Sequence, residues 1–395
     1  MGTKRHLAGE VNALISSLNP EAAVVDLFSG MGSVAETFAD RSPVVLNDAL
    51  EFASGFARAR FLGHKRPIQP DVIWDALKPS FEKQLENLKV IFERELYSES
   101  YALQASLSSL QKHFREFTHV GNSRLLSARA KAAAKVDGTD HYCMVSLYFS
   151  GGYFSLAQAI EIDAIRFSID QNSTVETTDW LLSAWIRSAS RIINSTGHTA
   201  QFLKPTTEVT APRVRKTMTR SFVAEFQKSL SQVPQIGSED WRDANEVYSG
   251  DAFNLLENAR LENASVIYAD PPYTKDQYSR FYHVFETMYK YNFPDSLGAG
   301  RTPTNRFNTG FSLKSQVVAS FHDLCRLASM RSIPLIISYP ANGLLSSTGW
   351  SVDAIGNKYF SSVTSNTYDM NHSTMGASKG VSKKPIKEQI YVCKP

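Results

Sequence analysis

Ala22-Ala23-Val24-Val25-Asp26-Leu27-Phe28-Ser29-Gly30-Met31-Gly32-Ser33 is the stretch that decides the fold. A short β-branched run closes on a carboxylate and meets a turn carrying two glycines. Val34-Ala35-Glu36-Thr37-Phe38 reads as a helix start, and Pro43-Val44-Val45-Leu46-Asn47-Asp48 as a second strand closed by another carboxylate. Strand, glycine turn, helix, strand is the opening of a doubly wound α/β sheet. Glycine lets the backbone bend sharply and lets a ligand approach where a Cβ would clash. The carboxyl end of such a sheet is where nucleotide-like cofactors sit. The spacing Phe28-x-Gly30-x-Gly32 lacks the last glycine of GxGxxG, where Ala35 stands, and no Gly-Lys-Ser/Thr follows, which excludes a phosphate-cradling P-loop. Asp48, at the end of the second strand, can accept hydrogen bonds from two ribose hydroxyls; a helix cap is the structural alternative. Together the turn and the acid point to an adenosine-containing cofactor.

Sheet-like patterns return only late in the chain. Ser265-Val266-Ile267-Tyr268-Ala269 runs into Asp270-Pro271-Pro272-Tyr273, Ile333 to Tyr339 is a second apolar run, and Lys387 to Val392 reads as a closing strand. Residues 80–118 carry Leu85, Leu88, Ile91, Phe92 and Leu96 at helical steps, a stripe that reads as core packing. Tyr148 to Phe154 reads as a glycine-bearing turn feeding a helix over Ala157 to Arg166. We therefore expect a Rossmann-like doubly wound mixed sheet interrupted by a largely helical insertion. The discontinuous sheet domain takes residues 1–55 and 245–395, and the insertion takes 56–244.

Composition sets outer bounds. With 395 residues, 43% hydrophobic and 21% charged, the chain is neither disordered, collagen-like nor coiled coil. Its apolar runs are too short to span a bilayer, and the amino terminus develops no secretory apolar stretch. Cys143, Cys325 and Cys393 are far apart and form no CxxC pair, so we expect neither disulfide framework nor metal site, which fits a reducing cytosolic compartment. A net charge of +3 says little about partners. Local clustering must carry that argument.

Asp270-Pro271-Pro272-Tyr273 is the most specific feature. The two prolines fix φ and remove two N–H donors, so the Asp270 side chain and the Pro271 carbonyl are presented as a rigid pair of acceptors. Tyr273 adds a flat aromatic surface. Such a corner suits a planar base bearing an exocyclic amine. That amine is a poor nucleophile because its lone pair is delocalised. Two acceptors gripping its N–H bonds localise the lone pair and stabilise the positive charge that develops on attack at an electrophilic methyl. Stacking on Tyr273 contributes roughly 1–3 kcal/mol, by analogy with other base–aromatic contacts. Neither a metal nor a covalent nucleophile is needed.

These residues resemble the alpha group of S-adenosylmethionine-dependent DNA adenine-N6 methyltransferases, in which cofactor motif, target-recognition insertion and catalytic motif follow in that order. Asp26 to Gly32 resembles the cofactor motif, Asp270 to Tyr273 the catalytic motif, and Gln277 to Thr287 its continuation. The resemblance further implies that Lys4, in Gly2-Thr3-Lys4, holds the methionine carboxylate, that Asp48 holds the ribose, and that Gly250-Asp251-Ala252-Phe253 contacts the cofactor's adenine. It thus assigns catalysis to Asp270, Pro271, Pro272 and Tyr273, and S-adenosylmethionine to Lys4, Asp26, Phe28, Gly30, Gly32, Asp48, Asp251, Ala252 and Asp270. It covers residues 1–55 and 245–395. Cytosine-N4 enzymes usually carry Ser at the place of Asp270, RNA guanine-N2 enzymes typically lack so large an insertion, and cytosine-C5 enzymes need a Pro-Cys nucleophile that is absent. RNA amino-methylation and a vestigial, non-catalytic DNA-binding domain stand as alternatives.

The implied partner is double-stranded DNA, in a prokaryotic cytosol, with room for a companion restriction endonuclease. An adenine inside a duplex must be flipped out, at a cost of a few kcal/mol. Between Arg187 and Arg220 stand seven basic residues and one acid, Glu208. The stretch Thr206 to Lys216 reads as a polar loop, and we expect DNA contacts from Lys204, Arg213, Arg215, Lys216, Arg220 and, beyond the catalytic turn, Lys275. A second basic run, Arg124, Arg129, Lys131 and Lys135, reads as a helix face. Tyr278 and Phe281 read as packing residues and His283 as a packed or hydrogen-bonded histidine, since the mechanism requires no general base.

Overall fold

The computed structural model describes residues 7–18, 22–63, 66, 69–117, 142–373 and 383–395. Lys4 and the basic run from Arg124 to Lys135 lie outside the described residues. Two compact units divide the chain: 1–65 with 235–279 and 307–395, and 66–234 with 280–306. These bounds differ from the expected 1–55, 245–395 and 56–244. The helix after the second strand stays with the sheet, and residues 280–306 leave it. Among the described residues no helix is long and apolar enough to cross a membrane, and all three cysteines are buried and free.

The sheet unit holds β1 (Ala23–Asp26), β2 (Val44–Asp48), β3 (Glu246–Ser249), β4 (Ala264–Ala269), β7 (Leu335–Pro340), β8 (Ser362–Ser373) and β9 (Lys383–Lys394), in the order β3-β2-β1-β4-β7-β9-β8. β1 pairs parallel with β2 and β4, β2 with β3, and β4 with β7; only β9 and β8 run antiparallel. This is the doubly wound mixed sheet of the class I methyltransferase fold. Strand residues alternate between two cores, as a pleat with helices on both faces requires. Val25, Ile267, Leu335 and Ile337 pack with α10 (Ala252–Asn258) and α12 (Val317–Met330). Val24, Val266, Tyr268 and Ile336 pack with α1 (Ala8–Ser16) and α2 (Glu51–Phe61). The strand order reverses between β1 and β4, and parallel pairing brings the carboxyl ends of β1, β2, β3, β4 and β7 to one edge. A crevice opens at such a switch point.

Two expectations need correction, and two strands were not expected. The expected helix after the glycine turn is a single 3-10 turn, Ala35–Phe38, ended by Asp40 in the left-handed region at φ 56°. The polar loop stops at Thr210. Thr207 and Thr210 exchange backbone-to-hydroxyl bonds of 3.0 and 3.2 Å, and α8 (Ala211–Met218) starts there with Pro212 in its first turn. Its buried residues, Ala211, Val214 and Met218, recur at helical spacing. The edge strands β3 and β8 had no clear apolar alternation to announce them.

The other unit packs α3 (Pro70–Ile91), α4 (Glu93–Gln104), α5 (Leu107–Phe117), α6 (Leu156–Asn172), α7 (Val175–Ile192), α8, α9 (Phe222–Leu230) and α11 (His283–Lys290), with a short hairpin of β5 (Ser296–Leu297) and β6 (Thr302–Pro303). Ser155 and Gln158 form a reciprocal capping box that starts α6. Trp180 and Trp185 are buried, their indole N–H groups donating to Leu230 and Ile162 carbonyls at 2.9 Å. Asp163 is fully buried and accepts from Val145 and Ser146 N–H, the Ser146 hydroxyl and the Tyr291 hydroxyl, yet burial still pushes its carboxyl up to about 7.

Candidate active site at the carboxyl edge of the sheet

The glycine turn is clamped from three sides. Gly30 and Gly32 adopt φ of 54° and 77°, conformations L side chains rarely hold. Asp48 at the end of β2 accepts Gly30 N–H at 3.0 Å on one oxygen and Leu50 N–H at 2.8 Å on the other. Asn47 donates its amide to the Leu27 and Gly250 carbonyls, each at 3.1 Å, tying the ends of β1 and β3 together. Arg60 donates to the Met31 carbonyl at 2.6 Å, pairs with Glu36 at 2.7 Å, and lies over the Phe61 ring. The glycines have different work. A Cβ at Gly32 would stand 2.2 Å from the Phe61 ring, whereas a Cβ at Gly30 meets nothing within 4 Å. Gly32 lets the turn pack, and Gly30 borders open space.

An aromatic wall rises beside the turn. Phe28 meets Phe311 edge-on at 5.6 Å, and Phe253 lies 5.7 Å from the same ring. Phe28 and Phe253 are half-buried, Phe311 fully. Phe311 is held because Gln277 pairs its amide with both backbone groups of Thr309, at 3.0 and 3.1 Å. Asp251 caps α10 by accepting Phe253 N–H at 2.8 Å, and Ala252 is buried in the first turn. Sequence reasoning missed Asn47, Arg60, Gln277 and Phe311. Their partners lie up to 203 residues away in the chain, so no local pattern marks them.

Asp270 stands one residue beyond β4, half-buried; Pro271 and Pro272 are buried, and Tyr273 is half-buried against the sheet core. The Tyr273 carbonyl accepts Leu344 N–H at 2.8 Å, which fixes the turn to the segment after β7. Asp48 and Asp270 stand near enough to Asp26 for their charges to act on its carboxyl. Asp26 is 3% exposed, and burial, then the charges of Asp270 and Asp48, push its carboxyl up to about 8 against the relief of Phe28 N–H at 3.3 Å. Asp26 therefore keeps its proton well above the ordinary carboxylate range. A cationic ligand entering this crevice would meet Asp48 and Asp270, and its charge would favour ionisation of Asp26.

This raised carboxyl has a consequence for stability. Folded Asp26 keeps a proton that the unfolded chain releases above 3.8, so it lowers stability progressively as pH rises from about 4 to about 8, and the loss is flat above that. Asp26→Asn is expected to raise the melting temperature by on the order of 5 °C at pH 8.5 and by almost nothing at pH 4. Thermal unfolding at the two pH values checks this; an equal shift at both would show that the gain is not electrostatic.

The basic residues divide. Lys204, Arg213 and Lys216 are exposed in the helical unit, and Lys275 is exposed beyond the catalytic turn. Arg215 is engaged inside its own unit, donating to the Ala105 carbonyl at 2.6 Å with its Nε buried. Arg220 donates to the Arg191 carbonyl at 2.6 Å and pairs with Glu225 at 3.3 Å. Both are structural ties, a fate that a charge run cannot announce. His283 is 1% exposed, its Nε2 3.4 Å from the Tyr153 hydroxyl, and burial pushes its pKa down to about 4, so it is a neutral packed histidine.

Residues 215–332 match the family model of D12 class N6 adenine-specific DNA methyltransferase. The chain is 23% identical over 345 residues to modification methylase LlaI of Lactococcus lactis subsp. lactis, covering 86% of this chain and 45% of that protein. It is 24% identical over 354 residues to type II methyltransferase M.FokI of Planomicrobium okeanokoites, covering 87% and 45%. It is 29% identical over 215 residues to type II methyltransferase M.NlaIII of Neisseria lactamica, covering 52% and 56%. The chain thus spans about half the length of the curated relatives it matches. The residues similar to the D12 class of N6 adenine-specific DNA methyltransferases, 215–332, are those that carry the Asp-Pro-Pro-Tyr turn, while the glycine turn lies outside the match.

Proposed function

We propose that this chain is an S-adenosylmethionine-dependent DNA methyltransferase acting on the exocyclic N6 of an adenine flipped from duplex DNA. The observation that carries the reading is the convergence of Asp26, Asp48 and Asp270 at the switch point between β1 and β4. The residues present fit the cofactor. The open space above Gly30 leaves room for close approach to the turn. Asp48, anchored by Gly30 and Leu50 N–H, would accept the ribose hydroxyls with its remaining lone pairs. Asp26 would take the methionine ammonium, whose positive charge favours release of the proton that the buried carboxyl otherwise keeps. Phe253, behind the Asp251 cap, gives the adenine an apolar face. When bound, S-adenosylmethionine supplies a sulfonium-activated methyl.

The chain's own part is positioning and charge. Asp270 and the Pro271 carbonyl accept the two N–H bonds of the target amine, which turns its lone pair out of the ring plane. Tyr273 stacks on the base. As the N–C bond forms, the amine becomes cationic, and the two acceptors stabilise that charge where it develops. The amine proton then leaves toward Asp270 and solvent. A companion restriction endonuclease, if the chain works with one, would be a separate partner.

Incubation with labelled S-adenosylmethionine and duplex DNA, followed by nucleoside analysis, tests the reading. N6-methyladenine is expected. Label appearing in RNA guanine, or absence of cofactor binding by calorimetry, would overturn it.

Lys204, Arg213 and Lys216 support the DNA arm of the proposal. Replacing all three with Ala is expected to weaken DNA binding uniformly across sequences, and to reduce the slope of log K against log salt by about one per lost phosphate contact. Titrations at several salt concentrations measure this. An unchanged slope would make these side chains bystander surface.

A further inference from the structure

The β5–β6 hairpin of the helical unit turns through Gly298-Ala299-Gly300-Arg301. Gly298 and Arg301 both adopt left-handed backbone, at φ of 69° and 53°, and Arg301 N–H donates to the Gly298 carbonyl at 3.2 Å. An L side chain rarely holds that conformation, so Arg301 stands where glycine would sit with less strain. The turn is held firmly. A Cβ at Gly300 would stand 2.9 Å from the Tyr153 hydroxyl, so the tip lies close against that side chain. At the base of the hairpin the Asp295 carbonyl accepts Thr304 N–H at 2.9 Å, and the Pro294 carbonyl accepts the Tyr148 hydroxyl at 2.8 Å.

The Arg301 guanidinium lies over the Tyr148 ring, 5.7 Å from its centroid. Tyr148 is fixed in turn, since its hydroxyl is tied to Pro294 and its ring meets Phe293 edge-on at 5.6 Å. Arg301 is half-buried, and burial pulls its pKa down from the ordinary range. Yet among the described residues its guanidinium has the Tyr148 ring as its only partner, with neither a carboxylate nor a hydrogen-bond acceptor. A cation with five donors, half out of water and without an acceptor, is costly to keep. The hairpin tip also borders a cleft of about 460 Å³ within this unit. Ala299 and Gly300 line that cleft together with Lys204, Thr206 and Thr210, and no acid lines it. Lys204 is one of the side chains assigned to DNA above, and Arg301, next in the chain after Gly300, stands beside the same cleft.

We propose that Arg301 is a specificity-determining residue whose guanidinium reads the O6 and N7 edge of a guanine in the recognition sequence. This rests on the DNA methyltransferase reading above. Guanine presents two acceptors side by side in the major groove, and the planar guanidinium fork matches them with two N–H bonds. A phosphate makes weaker demands. An exposed cation such as Lys204 or Lys216 meets them, with neither a fixed plane nor a strained backbone. Packing over Tyr148 restricts the fork before DNA arrives, so less side-chain freedom is lost on binding.

The recognition sequence is first read from DNA methylated by the wild-type protein. The ratio kcat/KM is then measured on that sequence and on duplexes in which each G·C pair is replaced in turn. Arg301→Lys keeps the charge and loses the fork. It is expected to lower kcat/KM on the cognate duplex by about tenfold to a hundredfold, the value of one bidentate base contact. The penalty for replacing one particular G·C pair should vanish, while the penalties at the other pairs and the melting temperature stay as in the wild type. At that pair 7-deazaguanine, which lacks the N7 acceptor, should slow the wild-type protein and leave the variant indifferent. Arg301→Gly relieves the left-handed backbone and is expected to fold and show the same selective loss. A uniform loss on all duplexes, the mark of a phosphate contact, overturns the inference. So does unaltered discrimination at every G·C pair, a recognition sequence without guanine, or a fall in melting temperature in both variants, which would make Arg301 a structural tie. Formation of N6-methyladenine by the wild-type protein establishes the underlying reading separately. Its absence from DNA sinks that reading, whereas unaltered discrimination by the variants sinks this inference alone.

Discussion

Asp270→Asn is expected to lower kcat for methyl transfer by about 10²–10³-fold while leaving the fold and the cofactor site in place. Asn keeps the shape of the side chain but replaces one acceptor oxygen with an N–H₂ that repels the target amine. The negative charge that stabilises the developing ammonium is also gone. The fold should survive because Asp270 lies beyond the end of β4, half-buried, and belongs to neither hydrophobic cluster of the sheet. The variant carries an internal check. The Asp270 charge helps to push Asp26 up to about 8, so its removal should lower the Asp26 pKa and weaken the pH dependence of stability. Single-turnover transfer, cofactor calorimetry and thermal unfolding at two pH values read all three effects. Retention of kcat within about tenfold would remove Asp270 from the chemistry.

The parts legible in the sequence were those whose physics is local. β1, the glycine turn and β2 announce themselves because β-branched runs meet glycines and end on acids within a few residues. β4 and its turn do so because two prolines after a strand have few other uses. The edge strands did not. Glu246–Ser249 and Ser362–Ser373 are polar and partly exposed, so hydrophobic periodicity, the main strand signal, is absent from them. α8 was missed for a different reason. Its three basic residues suggested a loop, but Ala211, Val214 and Met218 form a buried stripe beneath them. The candidate site divides likewise. Its acids and glycines were visible, whereas Asn47, Arg60 and Phe311 act through partners that only the fold brings near. Arg215 and Arg220 show the converse, because a charge is legible in sequence but its engagement with a carbonyl is not.

Gly30 and Gly32, two residues apart in one turn, should fail in opposite ways when each is changed to Ala. At Gly32 the new Cβ would stand 2.2 Å from the Phe61 ring. That ring cannot retreat, because it is fully buried, packed edge-on to Trp241 at 6.2 Å and covered by the Arg60 guanidinium. Overpacking and left-handed strain together cost about 2–5 kcal/mol, enough to remove much of the folded population. At Gly30 the Cβ meets no atom within 4 Å, and only the φ of 54° is penalised, at about 1–2 kcal/mol. Gly30→Ala should therefore remain folded with a modestly lower melting temperature. Its methyl would occupy the space through which S-adenosylmethionine approaches the turn, so cofactor affinity should fall about a hundredfold, the effect of forcing extra volume into a fitted site. Thermal unfolding separates the variants first, and calorimetry on Gly30→Ala then reads the binding loss. If Gly30→Ala binds S-adenosylmethionine with wild-type affinity, the open space above Gly30 is not the approach to the cofactor, and the site must be sought elsewhere along the crevice.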